Sequence, residues 1–167
     1  MTYSVKEIFY TVQGEGVHTG RASVFCRFSG CNLWSGKEED KKTAKCSFCD
    51  TDFIGTNGEG GGKFIGPDKL AQAIISYWSS DTRPYVVLTG GEPMLQVDNY
   101  LISALKKYDC EIAIETNGTI KVPREIDWIC VSPKAGNKII QTSGDELKLV
   151  YPQIGVKPSS FEKYAFK

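Results

Sequence analysis

The sequence is short of several things, and each shortage excludes something. No apolar run approaches the roughly 18 residues of a membrane-spanning helix, so a helical membrane protein is not expected. The opening residues, MTYSVKEIFYTVQGEG, lack the basic stretch, apolar stretch and cleavage site of a secretory signal, and a cytoplasmic location is expected. Net charge is missing too. Twenty Lys and Arg offset twenty Asp and Glu, without the basic excess that marks most nucleic-acid binders. No internal repeat interrupts the chain, and no low-complexity tract beyond a glycine cluster at 58–62. Histidine occurs once, and His18, in a loop, reads as solvated rather than catalytic.

What is present fits one α/β domain. The 167 residues are the size of a single domain, and 41% hydrophobic with 24% charged residues is ordinary for a globular protein. Ala22–Phe28 (ASVFCRF) alternates as a strand, with Val24, Cys26 and Phe28 on one face and Ser23, Phe25 and Arg27 on the other. Residues 33–63, rich in charge and glycine, read as a long loop, which in a compact domain is usually functional or disordered. A helix is predicted over 68–78, where Leu70, Ala73, Ile74, Tyr77 and Trp78 recur at helical spacing after Pro67-Asp68. A strand at 85–88 follows, then a second amphipathic helix carrying Val97, Tyr100, Leu101, Ala104, Leu105 and Tyr108. Further strands are predicted at 110–116, 128–131 and 146–150. Strands separated by helices imply βαβ units and hence a parallel sheet.

The polar groups are not scattered. Thr89, Gly90, Gly91 and Glu92 follow one strand, Glu115, Thr116 and Asn117 end another, and Ser132, Pro133 and Lys134 follow a third. In parallel α/β folds ligands bind at that C-terminal edge, so one site assembled from several strand ends is expected.

Six cysteines in a reducing compartment read as thiols or metal ligands rather than disulfides. Cys31, Cys46 and Cys49 follow the first core strand in the segment CNLWSGKEEDKKTAKCSFC. Soft thiolates select iron–sulfur clusters, zinc or copper(I). Three ligands on a four-iron cluster leave one iron open, which is what a catalytic cluster needs. With Cys26 as a fourth ligand, the same set resembles an all-cysteine zinc site. Against that, Cys26 shares the apolar face of Val24 and Phe28, where a thiol packs as a small hydrophobe. Spacing alone leaves cluster and zinc open. Cys110 and Cys130 fall in or beside apolar strands and read as buried.

In their order, these motifs resemble the radical S-adenosylmethionine superfamily: three cysteines after a first strand, the aromatic Phe48 before the last of them, and Gly90-Gly91-Glu92-Pro93 after the next strand. Fourteen residues separate Cys31 from Cys46, where that superfamily usually has three. The extended loop is similar to that of a minority of the 7-carboxy-7-deazaguanine synthases. Thr11 to Gly16 (TVQGEG), Arg27 within FCRF, Cys49-Asp50-Thr51, Glu115-Thr116-Asn117-Gly118 and Ser132-Pro133-Lys134 resemble the same family and cover most of the chain in order. The resemblance implies a single α/β domain built as an incomplete parallel (β/α) barrel of the radical SAM type. It implies a [4Fe-4S] cluster, S-adenosyl-L-methionine and Mg2+ as cofactors. The implied substrate is 6-carboxy-5,6,7,8-tetrahydropterin, converted to 7-carboxy-7-deazaguanine and ammonia on the route to queuosine. An external, flavodoxin-like one-electron donor is implied, with a homodimer as a candidate assembly, and no nucleic-acid or membrane partner.

The resemblance also implies roles. Cys31, Cys46 and Cys49 would hold the cluster, whose open iron takes the amino and carboxylate groups of S-adenosylmethionine; reduction then releases a 5′-deoxyadenosyl radical. Gly91 and Glu92 would meet the methionine amino group, Phe48, Cys49 and Asp50 would lie near the adenine, and Ser132, Pro133 and Lys134 would line the ribose and carboxylate side. Val12, Gln13, Gly14, Glu15, Arg27 and Thr89 would bind the pterin, Thr51 would ligate magnesium, and Glu115 would be the catalytic carboxylate. For Arg27 the residue itself adds an argument. A guanidinium on a core strand is costly unless paired, and a bidentate carboxylate offsets that cost, whether it comes from the substrate or from an internal Asp or Glu. Family members usually continue a few dozen residues past Lys167, so the chain is expected to lack the family's last strand and C-terminal tail, either as a fragment or as a shortened member. Two other readings stay open: a glycyl-radical activating enzyme, and a non-catalytic zinc-binding module.

Overall fold

A strand that sequence periodicity did not mark opens the fold in the computed structural model, which describes residues 1–167. Thr2–Val12 forms β1, eleven residues long. Its inward set begins as Tyr3 and Val5 and continues as Ile8, because the register slips between Val5 and Glu7. A bulge of this kind moves the buried residues from odd to even positions, and that shift hides a period of two. The glycine cluster lies against the bulge. The Gly58 amide donates to the Lys6 carbonyl (2.9 Å) and the Ile8 amide to the Glu59 carbonyl (2.7 Å). A Cβ on Gly61 would collide with the Lys6 carbonyl, so this strip must carry no side chain.

The other strands are β2 (Ala22–Phe28), β3 (Gly62–Ile65), β4 (Tyr85–Gly90), β5 (Glu111–Thr116), β6 (Trp128–Val131), β7 (Ser143–Gly144), β8 (Glu146–Leu147) and β9 (Ala165–Phe166). Seven of the nine strands make one sheet in the order β3-β1-β2-β4-β5-β6-β8. From β2 to β8 all neighbours are parallel, while β1 pairs antiparallel with both β2 and β3. The sheet is therefore mostly parallel, as expected, with an antiparallel margin at β1 and β3. With β3 and β8 as unpaired outer strands, the barrel is incomplete. β7 and β9 form a separate parallel pair.

Only two α-helices cover the sheet, α1 (Pro67–Ile75) and α2 (Asn99–Lys106). Pro67 opens the first, and Asp98 caps the second by accepting from the Leu101 amide at 2.9 Å. Both are shorter than the spacing predicted, and Tyr100 is 73% exposed, its inward place taken by Ile102. No helix lies between β5 and β6; the loop there buries Val122 and Ile126 instead. The helices and this loop close one face of the sheet over a 21-residue apolar cluster that includes Val24, Cys26, Phe28, Val86, Leu88, Ile112 and Ile114. The predicted strand at 146–150 shrinks to two residues, because Lys148 leaves it after its amide bonds the Val131 carbonyl (2.9 Å).

The long segment after β2 is ordered by a nucleus of its own. Trp34 packs edge-on against Phe53 (centroids 5.6 Å apart), both buried, and the Trp34 indole donates to the Lys37 carbonyl (3.1 Å). Its single short helix, a 3₁₀ turn at Glu38–Thr43, carries charge and buries nothing.

Candidate active site

The C-terminal ends of β2, β4, β5 and β6 open into one cleft of about 330 Å³. Its wall on the loop side is Cys46, Phe48, Cys49, Asp50 and Thr51; the strand ends contribute Arg27, Thr89, Gly91, Glu115, Ser132 and Lys134. Glu15 reaches in from the β1–β2 connection. Twelve of the sequence-predicted site residues thus meet in one place. Gln13 is buried under the cleft and touches it through Glu115, to which its side-chain amide donates (3.2 Å). Cys31 opens into an adjoining depression with Asn32 and Trp34. Val12, Gly14 and Pro133 do not line the cleft, and Glu92 sits behind it, fully buried.

The cysteines separate as their strands dictate. Cys26 is fully buried in the helix-covered core, where burial drives its thiol far above the ordinary range. It cannot join Cys46 and Cys49, which removes the fourth ligand of a zinc site. All six cysteines are free thiols. Cys46 and Cys49 interact directly: Cys46 first, then the amide and hydroxyl of Thr51, lower the Cys49 thiol to about 6, against the opposing effect of burial. Cys31 follows close to Gly91, where a Cβ would collide with the Gly30 carbonyl and the Cys31 side chain. The Leu33 amide points at the Cys31 sulfur (3.4 Å). Lys134, largely buried, carries its ammonium near Cys46 and Cys49 while donating to the Ser132 carbonyl (2.8 Å) and hydroxyl (2.6 Å). Burial lowers the Lys134 pKa and the neighbouring thiols oppose that shift.

No three Cys, His, Asp or Glu side chains converge on the point a single ion would occupy. A multi-iron cluster spreads its thiolates further apart. Two adjacent thiols, a third across Gly91, an amide aimed at sulfur and a cation facing the set are donors that fit such a cluster.

Glu92 holds the strand ends together. Its Oε1 accepts from the Met94 amide (2.9 Å) and the Thr116 hydroxyl (2.7 Å), and its Oε2 from the Asn117 amide (2.8 Å). Burial raises its pKa, and these three donors pull the other way.

Arg27 meets both of its expected fates. Its Nε donates to Glu7 Oε1 across the β1–β2 pair (2.7 Å), so an internal carboxylate does hold it. Its terminal nitrogens bond to no protein group, and the side chain lines the cleft. Two residues of this neighbourhood were missed from sequence. Glu7 lay in a strand whose bulge hid it. Lys148 lines the cleft and pairs with Glu15 (2.8 Å) and Glu115 (3.4 Å). The strand predicted over 146–150 hid it; β8 ends at Leu147, and Lys148 follows the strand end as the other polar site groups do.

His18 is not solvated as expected. It stacks edge-on between Trp128 (4.3 Å) and Tyr85 (5.3 Å), and its Nε2 is buried without a partner. The indole and phenol rings cover it because the β1–β2 connection folds across the start of β4 and β6.

An open parallel sheet with three thiols at its C-terminal edge defines a radical SAM protein. The profile of the Radical SAM superfamily matches residues 43–164. The 7-carboxy-7-deazaguanine synthase of Nitratidesulfovibrio vulgaris is 59% identical over 170 residues, covering 99% of this chain and 79% of that protein. The enzyme of the same name from Bradyrhizobium diazoefficiens is 59% identical over 169 residues, covering 100% and 80%. The crystal structure of QueE from Escherichia coli superposes with a TM-score of 0.61 at 29% identity, over 83% of this chain and 62% of that one. This chain belongs to the 7-carboxy-7-deazaguanine synthase family. The family carries a [4Fe-4S] cluster and uses S-adenosylmethionine. No helix is long and apolar enough to cross a membrane.

Proposed function

We propose that this chain binds 6-carboxy-5,6,7,8-tetrahydropterin in the 330 Å³ cleft and converts it to 7-carboxy-7-deazaguanine, releasing ammonia. The observation that carries the reading is the layout of one cavity. A guanidinium with free terminal nitrogens, Arg27, shares it with the carboxylates of Glu15 and Glu115 and with two of the three cluster thiols. Arg27 takes the pterin carboxylate in a two-pronged bond, oriented by Glu7 on its Nε. Glu115, supported by Gln13 Nε2, and Glu15 accept from the donor edge of the pterin ring. Cys31, Cys46 and Cys49 hold the cluster, which with bound S-adenosylmethionine supplies an organic radical able to take hydrogen from carbon.

Gly91 at the methionine amino group, Phe48 and Asp50 at the adenine, and Ser132 and Lys134 at the ribose side complete the cofactor assignment, while Glu92 and Pro133, which do not line the cleft, act behind it. Gly91 lets the Gly30–Cys31 segment pack directly against the end of β4, and Lys134 brings positive charge toward the carboxylate. A magnesium ion on the Thr51 hydroxyl, completed by substrate oxygens and water, belongs to the same proposal. So does an external one-electron donor of the flavodoxin type. The free state of all six thiols supports a reducing, cytoplasmic setting.

The test is anaerobic purification followed by turnover. Brown protein with about four irons per chain, and product ultraviolet absorbance that needs both pterin and S-adenosylmethionine, is the expected result. Colourless protein with one zinc, or an intact cluster without pterin turnover, rejects the reading.

A further inference from the structure

Lys148 leaves β8 at the same edge as the other site groups, and its ammonium ends between two carboxylates from distant parts of the chain. Glu15 Oε2 is 2.8 Å away and Glu115 Oε2 is 3.4 Å away. The Lys148 side chain is 26% exposed and that of Glu115 20%, while Glu15 stands 68% exposed and has no other side-chain partner for its carboxylate. Gln13 closes the arrangement from below: its Nε2 donates to Glu115 Oε1 (3.2 Å), and its Oε1 accepts from the Glu15 amide (3.2 Å).

We infer that Lys148 is a positioning residue that draws the carboxylates of Glu15 and Glu115 together, so that the cleft selects a ring presenting an N–H donor edge. The inference rests on the function proposed above and extends it to specificity. Two carboxylates facing one ligand edge repel each other, and each can relieve the repulsion by turning away. An ammonium between them, 2.8 Å from Glu15 and 3.4 Å from Glu115, removes that escape. Each carboxylate keeps unused lone pairs, since Lys148 and Gln13 occupy only part of the four acceptor positions. The other charged or titratable groups near Lys148 are Glu146, Cys130 and Lys134; Glu115 and Glu15 outweigh the burial that would otherwise neutralise it.

The test uses cluster-loaded protein saturated with S-adenosylmethionine, and 6-carboxypterin, the aromatic unreactive form, as a fluorescent probe. Lys148→Met is expected to weaken probe binding about ten-fold or more, because it loosens charge-assisted contacts to the ring. KM for the tetrahydropterin rises by a similar factor, while kcat stays within about three-fold. Lys148→Arg restores most of the affinity, since a cation returns to the same gap. If Lys148→Met does not fold, Lys148→Gln, of similar reach and no charge, takes its place with the same expectation. Unchanged probe affinity and KM in the neutral variant overturn the inference, as does loss of binding that Arg does not restore. Wild-type protein that holds its cluster but binds no 6-carboxypterin overturns the function itself, a result distinct from any behaviour of the variants.

Discussion

The two faces of the main sheet are cut from the same strands and have opposite characters. On β4, Val86 and Leu88 turn to the helices while Tyr85, Val87 and Thr89 turn away; on β5, Ile112 and Ile114 alternate with Glu111, Ala113 and Glu115. The helix-covered face is a 21-residue apolar cluster whose polar atoms amount to one tyrosine hydroxyl and two thiols. The other face gathers only Tyr85, Val87 and Ala113 as a buried apolar cluster, with Phe25 and Trp128 half-buried against it, and carries the ion pairs of Arg21, Arg27, Glu111 and Glu115. Along that ionic face a second contrast runs from strand start to strand end. Near the starts, Arg21 meets Glu111 with two bonds (2.8 and 2.5 Å) and stacks on the Tyr85 ring at 3.7 Å, so both terminal nitrogens and the guanidinium face are taken by protein groups. Near the ends, the terminal nitrogens of Arg27 bond to no protein group, and Arg27, Glu115 and Lys148 line the cleft. Guanidinium nitrogens left free at a cavity, rather than charge, distinguish the ligand-binding edge.

The sharpest way to break this comparison uses two cysteines on opposite faces. Cys46→Ala removes one of the three thiols proposed to hold the cluster and should abolish both bound iron and turnover. Cys26→Ala, on the helix-covered face, should keep iron and turnover and lower unfolding stability by about 1 kcal/mol through lost packing. Iron content and a denaturant titration of each variant decide it; iron loss in Cys26→Ala would sink the division of the faces. Glu92 sits where the faces join and predicts the next largest effect. In Glu92→Gln one acceptor oxygen becomes an amide donor, which cannot serve the Thr116 hydroxyl or Met94 amide on one side and the Asn117 amide on the other. A loss of about 2 kcal/mol in unfolding free energy, read as a lower urea midpoint, is expected. A midpoint equal to wild type would mean the strand ends are held some other way.

The part of this pattern that could be read in advance is local. Strict alternation exposed β2, including the inward Cys26 and outward Arg27, and the polar residues after β4, β5 and β6 announced a common edge. What escaped was non-local. The bulge in β1 scrambles its period, and β3 is too short and glycine-rich to register. The connection between β5 and β6 buries two apolar side chains without forming the helix that a βαβ pattern leads one to expect. The pairings of Arg27 with Glu7, and of Lys148 with Glu15 and Glu115, depend on which strands become neighbours. His18 was misjudged for the same reason, because its two aromatic neighbours come from distant strands.

The smallest predicted effect tests whether the strand-start ion pair stabilises the fold as its geometry suggests. Arg21 first, against the opposing effect of burial, holds the Glu111 carboxyl below its ordinary range, while the same pairing raises Arg21. A carboxylate whose pKa is depressed by folding contributes stability that is fully present above its unfolded value, about 4.3, and is lost as pH falls through the lower folded value. Wild type should therefore exceed Glu111→Gln in urea midpoint at pH 7, and the gap should close as pH drops below about 4. Other carboxylates titrate in the same window, but the difference between the two proteins cancels them. Once Glu111 is protonated, wild type presents Arg21 with a neutral partner, much as the glutamine does. A gap that stayed constant down to pH 3 would assign the effect to packing against Tyr85 rather than to the charge on Glu111.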